Sequence, residues 1–266
     1  MKKDKSNLKS ALEPSNLKQL LDEQLISKNT LSNLSSAPDP LQVAREYRDP
    51  VICLLCALFA YGNAAQIVKF LRRLDFDLLK ASEEQIGREI TDSNLIYRFQ
   101  NTRDVSEIFI TAKRLKGENV EEIVARGFEK RGRVEDGINA LIARIYELNP
   151  YRSSGYEFFF GSGFENEPKS PYKRYNMWLR WCIRDTDIDL GLFTRVPKSA
   201  LILPLDTHTH KVSLALGLCS RKSYDFKAAL EITENLRKFD PLDPIKYDFA
   251  LYRLGQSKEI ARLIQI

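Results

Sequence analysis

Val134-Glu135-Asp136-Gly137-Ile138-Asn139-Ala140-Leu141-Ile142-Ala143-Arg144-Ile145-Tyr146-Glu147-Leu148 decides the fold class. Its apolar residues recur every three or four positions, which gives a helix one apolar and one polar face. The residues upstream read the same way. Ser82 with Gln85 makes a capping box, and Gly117-Glu118-Asn119 and Arg131-Gly132 break the pattern. From Ala81 to Leu148 helix and turn alternate without a period-two stretch. Further toward the N-terminus, Val51 to Ala60 is apolar on nearly every face, which predicts a central core helix. Tyr61-Gly62-Asn63 should stop it, with Gly62 as the C-terminal cap, and a helix from Ala64 to Leu74 should follow. Asp39-Pro40 and Asp49-Pro50 each set a capping carboxylate before a first-turn proline. Toward the C-terminus the only strand-like run is Leu201-Ile202-Leu203-Pro204-Leu205, and one run interrupted by proline makes no sheet. The predicted fold class is all-α.

Composition narrows the function classes. The chain has 266 residues, 43% hydrophobic and 29% charged, which excludes disorder and a fibrous repeat. A net charge of +5 is a mild pointer to a polyanionic partner. The apolar run at Val51 is far short of the roughly 18–20 residues a bilayer requires, and the start MKKDKSNLKS has no apolar signal core, so the expected location is cytoplasmic. Cys53, Cys56, Cys182 and Cys219 are too few for a disulfide framework and read as buried reduced thiols. Residues 1–36 form an arm rich in Lys, Ser and Asn with a docking helix, in which Leu17, Leu20, Leu21 and Leu25 share a face.

Three strings carry candidate chemistry. Both histidines lie in Pro204-Leu205-Asp206-Thr207-His208-Thr209-His210. A zinc site built on His-x-His needs further histidine ligands, and the chain has none to supply. The plain alternative is an Asp and a His capping the helix His208 to Gly217. The second string runs from Tyr172 to Arg184, where Met177, Trp178, Trp181 and Cys182 mark an apolar helix stripe. Lys173, Arg180 and Arg184 line another face, read as a solvated surface or, less commonly, a phosphate-contacting one. Lys173 stands at the helix start among aromatic residues, where desolvation lowers an amine's pKa as a nucleophilic lysine requires. The third string is Asp243-Pro244-Ile245-Lys246-Tyr247-Asp248-Phe249-Ala250-Leu251-Tyr252-Arg253-Leu254-Gly255, read as a helix capped by Asp243, opened by Pro244 and ended by Gly255. Asp248 and Tyr252 share a face with Ile245 and Phe249. A carboxylate there needs a partner, either a buried Arg or Lys of this chain or a ligand with several donors beside a flat ring.

Taken together, the three strings resemble the helix-hairpin-helix DNA glycosylase superfamily. Lys173-Arg174-Tyr175-Asn176-Met177 is similar to the start of the second hairpin helix, and Leu205-Asp206-Thr207-His208 with Lys211-Val212 and Leu216-Gly217-Leu218 to the segment that carries the catalytic aspartate. Asp49 to Leu74 resembles the family's early core helix and the loop after it. The spacing of Lys173 from Asp206 and the Tyr247-Asp248, Tyr252, Gly255 pattern are most like the archaeal-type 8-oxoguanine DNA glycosylases.

The resemblance implies two helical subdomains with the active site in the cleft between them. Residues 37–184 would be a helical core ending in a hairpin-like element, and residues 185–266 a C-terminal subdomain packed with the arm. It implies that Lys173 is the Schiff-base nucleophile and Asp206 stabilises the cationic sugar, that Asp248 reads the guanine edge with Tyr252 stacking on the flipped base, and that His208 reaches a flanking phosphate. The enzyme would be a monomer that acts on double-stranded DNA containing a damaged base, in the nucleoid, with no metal and no cofactor. No C-terminal four-cysteine cluster exists, so the iron–sulfur cluster of one branch has no ligands. The hairpin departs from the pattern, with Lys169-Ser170-Pro171-Tyr172 in place of Gly-x-Gly and with Gly161 and Gly163 further upstream. Other readings are a catalytically silent DNA-binding module, a glycosylase for another damaged base, and a helical protein-interaction domain.

Overall fold

In a computed structural model, residues 13–186 and 188–257 are described. The Lys-rich start of the arm and the last residues of the segment 185–266 lie outside that range. The described residues form fourteen α-helices and no strand, so the fold is all-α. Helices α1 (Pro14–Lys28) and α2 (Leu31–Ser35) precede α3 (Pro40–Tyr47), α4 (Pro50–Leu58) and α5 (Ala64–Leu71). Then come α6 (Glu83–Asp92), α7 (Thr102–Lys116), α8 (Val120–Glu129), α9 (Val134–Leu148) and α10 (Ser154–Phe160). The chain continues through α11 (Lys173–Ile183), α12 (Thr207–Ala215), α13 (Phe226–Arg237) and α14 (Asp248–Ser257).

Local sequence sets most of these boundaries. Asp39, Asp49, Asn63, Asn101 and Asn119 each accept a backbone N–H of the first turn they precede. At Ser82 only half of the expected box is present, the hydroxyl accepting from Gln85 N at 3.1 Å. The complete reciprocal box is at Asn101 and Asp104. Every residue from Val51 to Leu58 is buried, and α3, α7 and α11 all pack on α4. Trp178 pins α11 there by donating from Nε1 to Pro50 O at 2.9 Å. Leu17 and Leu21 of α1 are buried against α14, and Tyr247 OH donates to Asp22 at 2.7 Å. The buried apolar side chains belong to one continuous cluster running from Leu17 to Leu254. No helix among the described residues is long and apolar enough to cross a membrane.

Three local expectations change. Helix α4 ends at Leu58, so Gly62 is not its cap; with φ +106° it turns the chain along the rim of the cavity described below. Residues 244–247 form turns, and α14 begins only at Asp248, because the Asp243 carboxylate is drawn away to Arg184. Gly255 lies inside α14 rather than at its end. A Cβ there would stand 2.7 Å from His208 Cβ, so this glycine permits the close packing of α14 on the first turn of α12. A glycine's preference for helix ends is outweighed by a contact with a residue 47 positions away.

Candidate functional site

Helix α11 presents Lys173, Met177, Arg180 and Trp181 on one face, at the spacing of successive helical turns. That face is one wall of a cavity of about 590 Å³, within the range that small-molecule and base pockets occupy. The opposite wall comes from Asp206, Thr207 and His208 at the start of α12 and from Asp248, Phe249 and Tyr252 of α14. Asp39 before α3 and the Tyr61-Gly62-Asn63 turn complete it. Lys173, Asp206, Asp248, Tyr252 and His208, the five residues singled out in the sequence, are thus brought to one cavity from three separate segments.

Lys173 is the first residue of α11 and follows Tyr172, whose backbone is left-handed at φ +47° and whose side chain caps nothing. Its surface is partly accessible because it faces the cavity, yet protein surrounds it on every side. Burial holds its amine below the ordinary lysine range, against the pull of Asp206, Asp39 and Asp248. The helix N-terminus adds a field of the same sign, unfavourable to an ammonium. Among the described residues Nζ makes no hydrogen bond and no ion pair within 4 Å, since none of these carboxylates comes that close.

Asp206 is the N-cap of α12, and Oδ1 accepts from Thr209 N at 2.7 Å. The expected capping role is therefore real, and it holds the carboxylate in one orientation with Oδ2 free of any protein donor among the described residues. Asp248, 4% exposed, takes Arg180 Nη1 on Oδ2 at 2.6 Å. Of the two partners open to it in the sequence, the buried arginine of this chain is the one present. Burial nevertheless pushes its pKa up to about 6, outweighing the pull of Arg180, with Asp206 and Asp189 adding to the rise. The phenol of Tyr252 accepts from Gln256 Nε2 at 2.7 Å, and its ring meets that of His208 edge-on at 6.3 Å between centroids. His208 is exposed, with Nδ1 3.3 Å from Gly255 O, while His210 is buried and Nε2 lies 2.9 Å from Arg221 O. The two rings face different partners, and no group of three metal-ligating residues exists among the described residues.

The basic stripe on α11 is neither solvated nor available to phosphate beyond Lys173. Arg180 and Arg184 are buried and tied by Asp189, Asp243 and Asp248 into one ion-pair network. Its carboxylates come from three places in the sequence, so spacing within the helix gave no sign of them. Helices α10 and α11 are joined by a loop. Gly161 ends α10 with φ +73°, the loop runs to Tyr172, and Lys169 O accepts from Phe226 N at 3.2 Å. All four cysteines are buried and unpaired by disulfides.

Two features were missed in the sequence. Asp39 read only as a helix cap, yet its carboxylate lines the cavity. Beside the rim, the tight turn Tyr97–Gln100, closed by two backbone hydrogen bonds of 3.0 and 2.8 Å, projects Arg98 and Phe99 into solvent. Phe99 is 59% exposed and packs on Phe158 at 4.6 Å between centroids, and the Arg98 guanidinium lies 6.0 Å from the Tyr61 ring. An exposed aromatic beside a cation is a signal for nucleic acid, but Ile96-Tyr97-Arg98-Phe99 alone does not reveal which ring is outside.

Comparison with curated proteins and with solved structures gives no match for this chain. A family described as a protein of unknown function, DUF2400, matches residues 39–257, and the chain belongs to that family.

Proposed function

We propose that the chain is a DNA glycosylase with an associated lyase activity, of the helix-hairpin-helix kind, acting on oxidised guanine in double-stranded DNA. The observation that carries this reading is the convergence of a lysine unpaired among the described residues with a preorganised carboxylate in one cavity, large enough to admit a flipped nucleotide. Departure of a base from C1′ leaves positive charge on the sugar, and a carboxylate already fixed by its own helix stabilises that charge without reorganising. Asp206, held by Thr209 N, has this role. Lys173 attacks C1′, forms the Schiff base and sets up elimination of the 3′ phosphate.

Oδ1 of Asp248, which Arg180 leaves open, accepts from N1–H or N2–H₂ of a guanine edge, and Tyr252 offers a ring to stack on. The exposed Phe99 and Arg98 at the rim suit the flanking duplex. The silent-module alternative has no use for an enclosed amine that no hydrogen bond or ion pair among the described residues engages. Borohydride treatment during incubation with an 8-oxoguanine duplex tests the reading. A covalent protein–DNA adduct is expected, and its absence on both 8-oxoguanine and abasic duplexes refutes the lyase assignment. Faster excision of thymine glycol than of 8-oxoguanine would leave a glycosylase with a different substrate.

A further inference from the structure

Resting on that reading, we propose that Asp39 is the proton acceptor that frees the Lys173 amine for attack. Three carboxylates face Lys173, and two are committed elsewhere. Asp206 is bound through Oδ1 to Thr209 N and is required ionised beside the sugar, and Asp248 gives Oδ2 to Arg180. Asp39 is 7% exposed, and Oδ1 accepts from Leu41 N at 3.0 Å. Its Oδ2 accepts no hydrogen bond among the described residues, and no cation stands within 4 Å, although the group lines the cavity.

A buried carboxylate left in this state is costly unless a proton or a cation reaches it. The cations that face it are Arg180, Arg253 and Lys173. Arg180 is bound to Asp189 and Asp248, and Arg253 donates to Gln256 Oε1 and to Asn33 O. Lys173 alone of the three has no partner among the described residues, and its four-carbon stem is flexible, with rotatable donors. The other titratable groups around the amine are the nearby Arg174 guanidinium, the phenols of Tyr61, Tyr224 and Tyr252, and His208. Arg174 is tied to Leu58 O and Phe159 O, and burial raises the pKa of each phenol, so neither the guanidinium nor a phenol takes a proton from an ammonium near neutral pH, while His208 is exposed with Nδ1 3.3 Å from Gly255 O. Burial raises the proton affinity of Asp39 and lowers that of Lys173, bringing the two toward each other.

The step balances on an abasic-site aldehyde. An N–H bond of the ammonium breaks, its electron pair stays on Nζ and the proton goes to Asp39 Oδ2. The amine pair then forms the bond to C1′ while the carbonyl π pair moves to oxygen, which takes the proton back from Asp39 and a second one from nitrogen and leaves as water. The product is the iminium, with Asp39 ionised again.

The test is the pH profile of trapping by cyanoborohydride on an abasic duplex, from pH 5 to 9, for the wild type and for Asp39→Asn and Asp39→Ser. Asn and Ser both preserve a helix cap, so the fold is retained while the base is removed. The wild-type rate should be nearly flat where the pair shares one proton. The variants should climb ~10-fold per pH unit, as a lone amine does, and be at least ~10-fold slower at pH 6. Parallel profiles in wild type and variants, shifted or not, overturn the proposal. A second arm replaces DNA by glycolaldehyde and reads modification of Lys173 by mass spectrometry. The flat-versus-climbing contrast with glycolaldehyde, without any DNA adduct, upholds Asp39 and refutes the DNA reading. DNA trapping with parallel profiles in both arms does the reverse.

Discussion

The two ends of α11 carry cations of opposite fate. At its C-terminal end Arg180 and Arg184 are saturated by Asp189, Asp243 and Asp248, deep in the protein. At its N-terminal end Lys173 faces the same side, opens onto the cavity, and has no hydrogen-bond or ion-pair partner among the described residues. Guanidinium groups with planar forks fix helix α11 to the start of α14, to Asp243 before it and to the Asp189 loop, whereas on the proposed reading the single amine keeps its donors and its lone pair for something that enters the cavity. On the proposed reading, one helix thus combines an anchor and a reagent, and burial serves each differently. At the anchor it strengthens the attraction between paired charges; at the reagent it makes the charged form of an unpaired amine unfavourable.

If this division holds, Lys173→Gln abolishes borohydride trapping outright while urea denaturation gives wild-type or higher stability, because an enclosed amine without a partner has been removed. A large loss of stability in this variant would merge the two ends into one structural device. Arg184→Ala should do the opposite and destabilise by about 3–5 kcal/mol, the scale for stripping one partner from a buried ion pair, as read by the denaturation midpoint. Asp206→Asn keeps the cap of α12 and should lower excision by ~10²-fold with lesion-DNA affinity within a few fold. Phe99→Ala should weaken duplex binding by about 1 kcal/mol without changing the single-turnover rate on bound DNA.

A last test concerns pH. The folded-state pKa of Asp248 is raised to about 6 from an ordinary 3.8, so its contribution to stability is fully present below about 4 and is lost as pH rises through about 6. The wild type should therefore lose stability relative to Asp248→Asn across that window. A constant difference between the two proteins from pH 4 to 7 would show that Arg180 neutralises the carboxylate completely.

Much of the architecture was legible because it is local. The helices from α6 to α9 follow in outline from the cap at Ser82 and the breaks at Gly117-Glu118-Asn119 and Arg131-Gly132, each of which acts on its own neighbours. The five site residues were legible as types in a pattern, since Asp248 beside Tyr252 and Lys173 at a helix start are costly placements that call for a reason. What could not be read is every feature that depends on a distant contact. Gly255 read as a helix end because its partner is the backbone of His208. Arg180 read as surface because Asp189 and Asp248 are not on its helix. Asp39 read as a cap because a cap uses one oxygen, and a sequence does not tell where the second one points.

The clasp between α1 and α14 has a consequence in time. Tyr247 and Asp22, which meet through a hydrogen bond, are 225 residues apart, and α14 supplies Asp248, Phe249 and Tyr252 to the wall facing Lys173. Until that wall docks, Lys173 is an ordinary solvated lysine with an ordinary proton affinity. Contacts this distant in sequence form late, because closing so long a loop must precede any gain from them. If Lys173 acts as proposed, a ribosome-bound or partly folded chain carries no activated amine with which to capture stray aldehydes, and the proposed nucleophile comes into being only when the two far ends of the described chain have met.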